Sequence, residues 1–354
     1  TTLHMLAQKL SSEYQIFSVS FEGLGNSSYK DEWAFCRKVY GLLYDVMYYG
    51  ETSEVSDEVQ TECYRMSLED ARPDLRILSN FFSFICKESE KSVVLIIDEV
   101  DQASNQEVFL DFLGMLRDKY MKRRSRPTFR SVILAGVYDI KNLKLKIRKG
   151  QEPLYNSPWN IAADFDVSMR FSPEDISGML KQYEIDHHTG MNIQEISNLL
   201  YDYTSGYPYL VSRICLLLDE QIAGKAGFES TKYIWSDAGI AEAVKILLNE
   251  SNTLFDDMRK QIASYPELKK MLYAILFYGQ SFAYNPDNYA IDIGRMFGFL
   301  GECNGQAVVA NRIFETRIYN LFLSEELLDN KSYIAASEIK NQFIREGYLN
   351  MDVV

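Results

Sequence analysis

Two consecutive carboxylates, Asp98 and Glu99, follow a run of apolar residues and are the clearest candidates for chemistry in this sequence. The run, Val93–Ile97, is rich in β-branched residues and is typical of a strand buried on both faces of a parallel sheet. Ligands of open α/β sheets bind at the carboxyl ends of the strands. There one carboxylate can hold Mg²⁺, and the next can orient or deprotonate the water that attacks a γ-phosphate. We predict these roles for Asp98 and Glu99; an ordinary strand ending in an acidic turn is the alternative.

The sequence opens on Thr1 and Thr2, which lead directly into an apolar helical pattern that reaches Leu10. A phosphate-binding loop of the type G-x-x-x-x-G-K-[ST] runs into a helix whose first amides hold phosphate. The opening looks like such a helix, so Thr1 and Thr2 are candidate nucleotide contacts and Thr1 a candidate Mg²⁺ ligand. A cropped amphipathic helix is the alternative. The Gly-Lys loop is not among the given residues, so we read the chain as part of a longer protein and expect these residues alone to bind ATP weakly.

Two further stretches carry residues that fit a nucleotide site. Ser131–Val137 has the pattern of a second buried strand, and Tyr138 or Asp139 follows it at the place where a side chain can sense a γ-phosphate. Gly206 and Pro208 mark a turn between two helices, which would pack a helical lid against the base, with Arg213 one turn later near the phosphates. Tyr138, Pro208 and Arg213 are therefore candidate nucleotide contacts. Turn residues without a ligand are the alternative in both places.

The elements around these residues alternate between strand and helix in the first half of the chain. β-branched and aromatic residues predict a further strand at Gln15–Phe21, and helical patterns separate it from the two buried strands. Such βαβ units imply a parallel sheet with right-handed crossovers. After about Asn160 the pattern becomes mainly helical, and a short strand at 307–311 precedes a last helix. This half fits helices followed by the small strand pair of a winged helix.

Together these features resemble the AAA-like P-loop ATPases of the signal-transducing NTPase branch, in particular the bacterial and archaeal "AAA-like domain" ATPases that are often fused to a restriction-nuclease-like domain. The stretches that carry the resemblance are Thr1–Leu10, Val19–Gly23, Val93–Asp101, Val132–Leu143, Ser157–Asp166, Gly206–Leu210 and Val309–Tyr319. The resemblance implies that ATP and Mg²⁺ are bound and that Asp98 and Glu99 form the Walker B element. It also implies an α/β fold in four parts: a parallel-sheet P-loop NTPase core at 1–170, a helical lid at 171–232, a winged-helix-like domain at 233–325 and a linker at 326–354.

Composition argues against several classes of protein. The chain has 354 residues and a net charge of −13, which disfavours a surface built to coat nucleic acid. No run approaches the ~18 uninterrupted apolar residues of a membrane span, so no membrane partner is expected. The five cysteines are scattered without metal-ligand spacing, which indicates neither a disulfide framework nor a zinc site. A reduced, cytoplasmic setting is therefore expected.

Residues 119–130 concentrate six basic side chains in this acidic chain. We interpret them as a solvated loop, with a DNA contact or a contact between subunits of a homo-oligomer as alternatives, because arginine matches phosphate geometry. Three functions stay open at this point. The favoured one is an ATP-driven switch or motor that couples nucleotide state to rearrangement of the lid and winged helix. The others are a non-catalytic scaffold with a degenerate nucleotide site and a DNA-handling module that acts through the winged-helix region or residues 119–130.

Overall fold

The chain divides into two compact units, Thr1–Asp164 and Phe165–Val354, and each has its own buried apolar core. A computed structural model describes the chain in four long blocks and two short strands, at residues 2–50, 55–103, 106–136, 168–329, 344–345 and 348–349. Within these blocks, no helix has the length and apolar character needed to cross a membrane.

The first unit is a three-stranded parallel sheet with helices packed on both faces. Its elements are α1 (Thr2–Leu10), β1 (Gln15–Ser20), α2 (Glu32–Tyr49), α3 (Asp57–Ser67), α4 (Leu75–Glu88), β2 (Val93–Asp98), α5 (Glu107–Met121) and β3 (Ser131–Leu134). The strands lie in the order β1-β2-β3, and both neighbouring pairs are parallel. The predicted parallel α/β sheet is therefore present, and β2 is its central strand.

The alternation of side chains along β1 and β2 explains why these two strands are buried on both faces. The prediction of a second buried strand at 131–137 is wrong in part, because β3 ends at Leu134 and is only half-buried. Ile16, Val94 and Ile96 form one buried cluster, against which Leu3 and Ala7 of α1 pack. The intervening strand residues face the other way and join a larger core formed with α2, α4 and α5. Successive side chains of a strand point to opposite faces, so a continuous apolar run can fill both cores.

Side-chain caps define where three helices of this unit begin. Asp31, Ser56 and Asp74 each accept a hydrogen bond from an amide in the first turn, at the starts of α2, α3 and α4. Such caps satisfy amide groups that have no partner within the helix. The sequence pattern does not predict α3, because the only side chains that this helix buries are Val59 and Cys63.

The basic segment 119–130 departs from the expectation of a wholly solvated loop. Lys119 lies within α5 and is only 7% exposed. Its Nζ donates to the Ser79 carbonyl at 2.8 Å and to Ser83 Oγ at 2.6 Å, and burial lowers the pKa of the amine. This lysine ties α5 to α4, and the exposed basic residues begin at Lys122.

The second unit is mainly helical and ends in short antiparallel strands. Its elements are α6 (Pro173–His187), α7 (Ile193–Thr204), α8 (Pro208–Leu217), a π-helical turn (Leu218–Ile222), α9 (Thr231–Ile234), α10 (Asp237–Asn249), α11 (Thr253–Ser264), α12 (Pro266–Tyr278), α13 (Tyr289–Met296), β4 (Leu300–Cys303), β5 (Gln306–Val309), α14 (Arg312–Asp329), β6 (Ile344–Arg345) and β7 (Tyr348–Leu349). Ser172 caps α6, and Asp175 completes a capping box with it. β4 and β5 form a hairpin.

Candidate functional site

The end of β2 is held in place by hydrogen bonds from both neighbouring strand ends. The Phe21 N–H, just after β1, donates to the Asp98 carbonyl at 3.0 Å. On the other side, the Val100 N–H donates to the Ala135 carbonyl at 3.1 Å, just after β3. The backbone that carries Asp98 and Glu99 is therefore fixed at the carboxyl edge of the sheet, where the sequence analysis placed the site.

Glu99 has a backbone conformation that is rare for a residue with a long side chain. Its φ angle is 54°, in the left-handed region, which costs an L-residue roughly 1–2 kcal/mol. The Glu99 N–H donates to Asp98 Oδ1 at 2.9 Å, and the Glu99 carbonyl accepts from the Gln102 N–H at 3.1 Å. The local hydrogen bonds thus hold a strained residue directly after the strand. Strain of this kind is concentrated at functional sites.

The electrostatic environment of Glu99 favours its protonated form. Burial is the first cause that raises the pKa of its carboxyl group, followed by the negative charges of Asp101, Asp98 and Glu22. A carboxyl whose pKa is raised is, once it is ionised, a better proton acceptor than an ordinary surface glutamate.

Asp101 and Gly136 complete this edge and were not assigned a role in the sequence analysis. A Cβ atom placed on Gly136 would lie 1.9 Å from Asp101 Oδ1 and 2.9 Å from Val100 Cγ2. The loop after β2 therefore packs directly against the backbone after β3, at a position where only glycine leaves room. The visible signal is the small pair Ala135-Gly136 after an apolar run, which a sequence pattern alone does not connect to Asp101.

Asp98 fits the role of a single carboxylate ligand to Mg²⁺. Its Oδ1 accepts from the Glu99 N–H, and its Oδ2 makes no hydrogen bond or ion pair to any described residue. Within the part of the chain that the structure describes, no group of three or more acidic, histidine or cysteine side chains is arranged to hold a metal ion. Mg²⁺ commonly takes one or two protein carboxylates and fills its other positions with water and phosphate oxygens. The donor set at Asp98 suits that mode.

Of the two N-terminal candidates, the structure describes only Thr2. Thr2 is the first residue of α1, and Thr1, Tyr138 and Asp139 lie outside the described residues. α1 precedes β1 and packs on the sheet through Leu3 and Ala7.

Pro208 and Arg213 lie in the second unit, on the same helix. Pro208 is the first residue of α8, after a turn in which Gly206 has a φ of 71°. A Cβ on Gly206 would lie 1.9 Å from the Phe171 carbonyl oxygen, so this turn requires glycine. The Arg213 guanidinium donates two hydrogen bonds to the Glu250 carboxylate, from Nε at 3.1 Å and from Nη2 at 2.5 Å. Asp98 and Glu99 thus lie at the end of the central strand. The Arg213 guanidinium, predicted to contact phosphate, is paired with the Glu250 carboxylate.

Comparisons with known proteins bear on the fold. The sequence profile of a family described as "AAA-like domain" matches residues 75–226. No curated protein matches the chain. Among solved structures, the Walker-type ATPase PABY2304 of Pyrococcus abyssi is similar, with a TM-score of 0.57 and 13% sequence identity. That likeness covers 90% of this chain and 87% of the archaeal one.

The family match and the structural likeness agree with the architecture of the first unit. The matched residues include β2, with Asp98 and Glu99, and extend through α8 in the second unit. At 13% identity, the likeness to the archaeal ATPase concerns the fold. Together the findings support an AAA-like P-loop fold for this protein.

Proposed function

We propose that this protein binds ATP with Mg²⁺ at the carboxyl edge of its parallel sheet and hydrolyses it. The observation that carries the proposal is the geometry of Glu99. A glutamate is held in the left-handed region directly after the central strand, and burial and neighbouring carboxylates raise its pKa. A purely structural turn would more readily use glycine or asparagine at such a backbone position. The strained backbone and the raised pKa of Glu99 together support a role in binding or catalysis.

The roles of the two carboxylates follow from their surroundings. Asp98 keeps one oxygen free and would hold the magnesium ion through it, directly or through water. When bound, Mg²⁺ would neutralise charge on the phosphates. Glu99 would orient a water molecule and accept its proton as the water oxygen bonds to the γ-phosphorus. The bond from that phosphorus to the bridging oxygen breaks in the same reaction, so that ADP and phosphate leave.

The remaining candidates complete the proposed nucleotide site. Thr2 begins α1 and Thr1 precedes it, and their hydroxyls would contact phosphate or Mg²⁺. Tyr138 would sense the γ-phosphate after β3. Pro208 would contact the base and Arg213 the phosphates, and Arg213 would have to exchange Glu250 for phosphate to do so. This exchange gives one route by which nucleotide could change the second unit.

We further propose that 171–232 acts as a helical lid and that 233–325 acts as a winged-helix module that responds to nucleotide. The order α11, α12, α13 and then the β4-β5 hairpin supports the winged-helix assignment. The DNA-handling alternative has less support, because four basic side chains of this region are in ion pairs with carboxylates. These pairs are Arg259 with Asp256, Lys260 with Asp257, Lys269 with Glu325 and Arg295 with Asp292.

Glu99→Gln in the full-length protein tests the proposed reaction. The amide keeps the size of the side chain but cannot accept a proton, so ATP binding should persist while turnover falls by on the order of 10²–10⁴-fold. ATP binding by calorimetry and phosphate release under saturating ATP would be measured together. Glu69→Gln, an exposed glutamate in the loop before α4, is the matched control and should behave as the wild type. Full turnover in Glu99→Gln would exclude Glu99 as the catalytic carboxylate.

A further inference from the structure

A groove in the first unit lies away from the carboxylates of β2, between α3 and α4. It encloses a cavity of about 630 Å³ and has its floor at Tyr40 of α2. One wall is the apolar side of α4, formed by Ile77, Phe81 and Phe84. This volume falls in the range of small-molecule sites, which are mostly apolar with a few converging polar groups. We call it the α3–α4 groove.

The floor of the groove holds a polar group that has no partner. Tyr40 is fully buried, and its hydroxyl makes no hydrogen bond in the structure. Its ring lies 4.8 Å from the ring of Phe81, centroid to centroid, and both residues line the groove. The unpaired hydroxyl therefore belongs to a side chain that lines the groove between α3 and α4. Leaving a buried hydroxyl unpaired costs free energy, so the position calls for a ligand or solvent partner.

The opposite wall of the groove is acidic. Asp57, Glu58 and Glu62 of α3 line it. Glu62 is paired with Arg65, whereas the carboxylates of Asp57 and Glu58 make no hydrogen bond or ion pair to any described residue. Both lie in the first turn of α3, where the helix dipole favours negative charge. The dipole explains why acidic residues occur there, but it gives their oxygens no hydrogen-bond partner among the described residues.

We propose that the α3–α4 groove binds a small organic cation, an ammonium or guanidinium group carried on an apolar chain. The aromatic wall would take the apolar chain, and the cation would lie over aromatic faces that attract positive charge. The free carboxylates of Asp57 and Glu58 would balance that charge, and the Tyr40 hydroxyl would accept a hydrogen bond from the nitrogen. An anionic ligand would meet repulsion from the same carboxylates, and a neutral one would leave them without a partner.

Hexylammonium is a suitable probe, because it combines one ammonium with a chain of groove length. Its neutral and anionic counterparts, 1-hexanol and hexanoate, test the role of charge. Isothermal titration of the 354-residue protein should show saturable binding of hexylammonium, at least tenfold weaker binding of 1-hexanol, and none of hexanoate. Equal affinity for hexylammonium and 1-hexanol would overturn the proposal.

Two sets of variants locate the binding. Tyr40→Phe removes only the unpaired hydroxyl, so it should leave the melting temperature of the free protein unchanged or raised while weakening hexylammonium binding roughly tenfold. Tyr29→Phe is the matched control, because Tyr29 is also buried with an unpaired hydroxyl but does not line the groove. The double variant Asp57→Asn/Glu58→Gln should lose the preference for hexylammonium over 1-hexanol. Unchanged affinity in Tyr40→Phe and in the double variant would refute the assignment.

The source of the cation is distinguished by a second probe, Nα-acetyl-lysine N-methylamide. Tighter binding of this probe than of hexylammonium would identify a lysine side chain of a protein segment as the ligand, and weaker binding would identify a free amine. Both results keep the organic cation as the recognised group. Failure of both probes to bind would contradict the proposal.

Discussion

At the scale of single residues, Glu99 combines a carboxyl group suited to phosphate chemistry with a backbone φ of 54°, which few residues other than glycine adopt. The left-handed backbone results from hydrogen bonds to Asp98 and Gln102 and from packing of Asp101 on Gly136, which are contacts made only in the fold.

Asp101→Asn should move the pH dependence of turnover in a defined direction. Glu99 must be ionised to accept a proton, so turnover falls as the pH drops through the pKa of Glu99. After burial, the negative charge of Asp101 is the next cause that raises this pKa. Removing that charge lowers the pKa, and the acid limb of kcat/KM in the full-length protein should therefore shift to lower pH. Asp70→Asn, an exposed aspartate in the loop before α4, should leave the limb in place.

An acid limb that stays fixed in Asp101→Asn, or moves to higher pH, would count against Glu99 as the group that limits turnover.

The Tyr40 hydroxyl, at the α3–α4 groove, is a residue-scale feature that could not be predicted from the sequence. Nothing in the sequence around Tyr40 distinguishes it from other core tyrosines, and its lack of a partner is visible only once the three helices are assembled.

At the scale of elements, the strands of the first unit could be predicted from their β-branched and apolar residues, which form a continuous run in β2. β1, β2 and β3 all begin at the predicted positions, but β3 ends at Leu134 and not at the predicted Val137. α3 could not be predicted in this way, since it buries only Val59 and Cys63 and the rest of its surface is polar. α13 was missed for a related reason: it has only eight residues, too few for a clear helical pattern. Short or half-exposed helices depend on caps and packing more than on periodicity.

Gly136→Ala tests the contact between the two loops at the carboxyl edge. The added Cβ would displace the Asp101 carboxylate and Val100, so the loop that carries Glu99 must shift. We expect a loss of stability of about 1–3 kcal/mol, in the range of overpacking, and a drop in turnover larger than any change in ATP affinity. Chemical unfolding and steady-state kinetics of the full-length protein measure the two effects.

Gly114→Ala provides the matched control for this substitution. Gly114 lies within α5, and a Cβ there meets no atom within 4 Å. Alanine should therefore stabilise the helix by about 0.5–1 kcal/mol and leave turnover unchanged. If Gly136→Ala behaved like Gly114→Ala in both measurements, the packing of Asp101 on Gly136 would have no influence on Glu99.

At the scale of the whole molecule, the change from alternating strands and helices to a mainly helical half was visible in the sequence. The structure has a corresponding division into Thr1–Asp164 and Phe165–Val354, each with its own core. The further division of the second unit into lid and winged-helix module remains a prediction. The net charge of −13 disfavours a surface built for general nucleic-acid binding. It does not show where the acidic groups lie, and only the structure shows that three of them act on Glu99.

The central claim is that Asp98 holds Mg²⁺ for a bound nucleotide, and calorimetry of the full-length protein with and without Mg²⁺ tests it most directly. Asp98→Ala should weaken ATP binding in the presence of Mg²⁺ by tenfold or more, while binding without Mg²⁺ stays the same or improves because a negative charge is gone. Asp70→Ala, at an exposed loop position, should not change either titration. Equal losses of affinity with and without Mg²⁺ in Asp98→Ala, or no ATP binding by the wild-type protein, would contradict the claim.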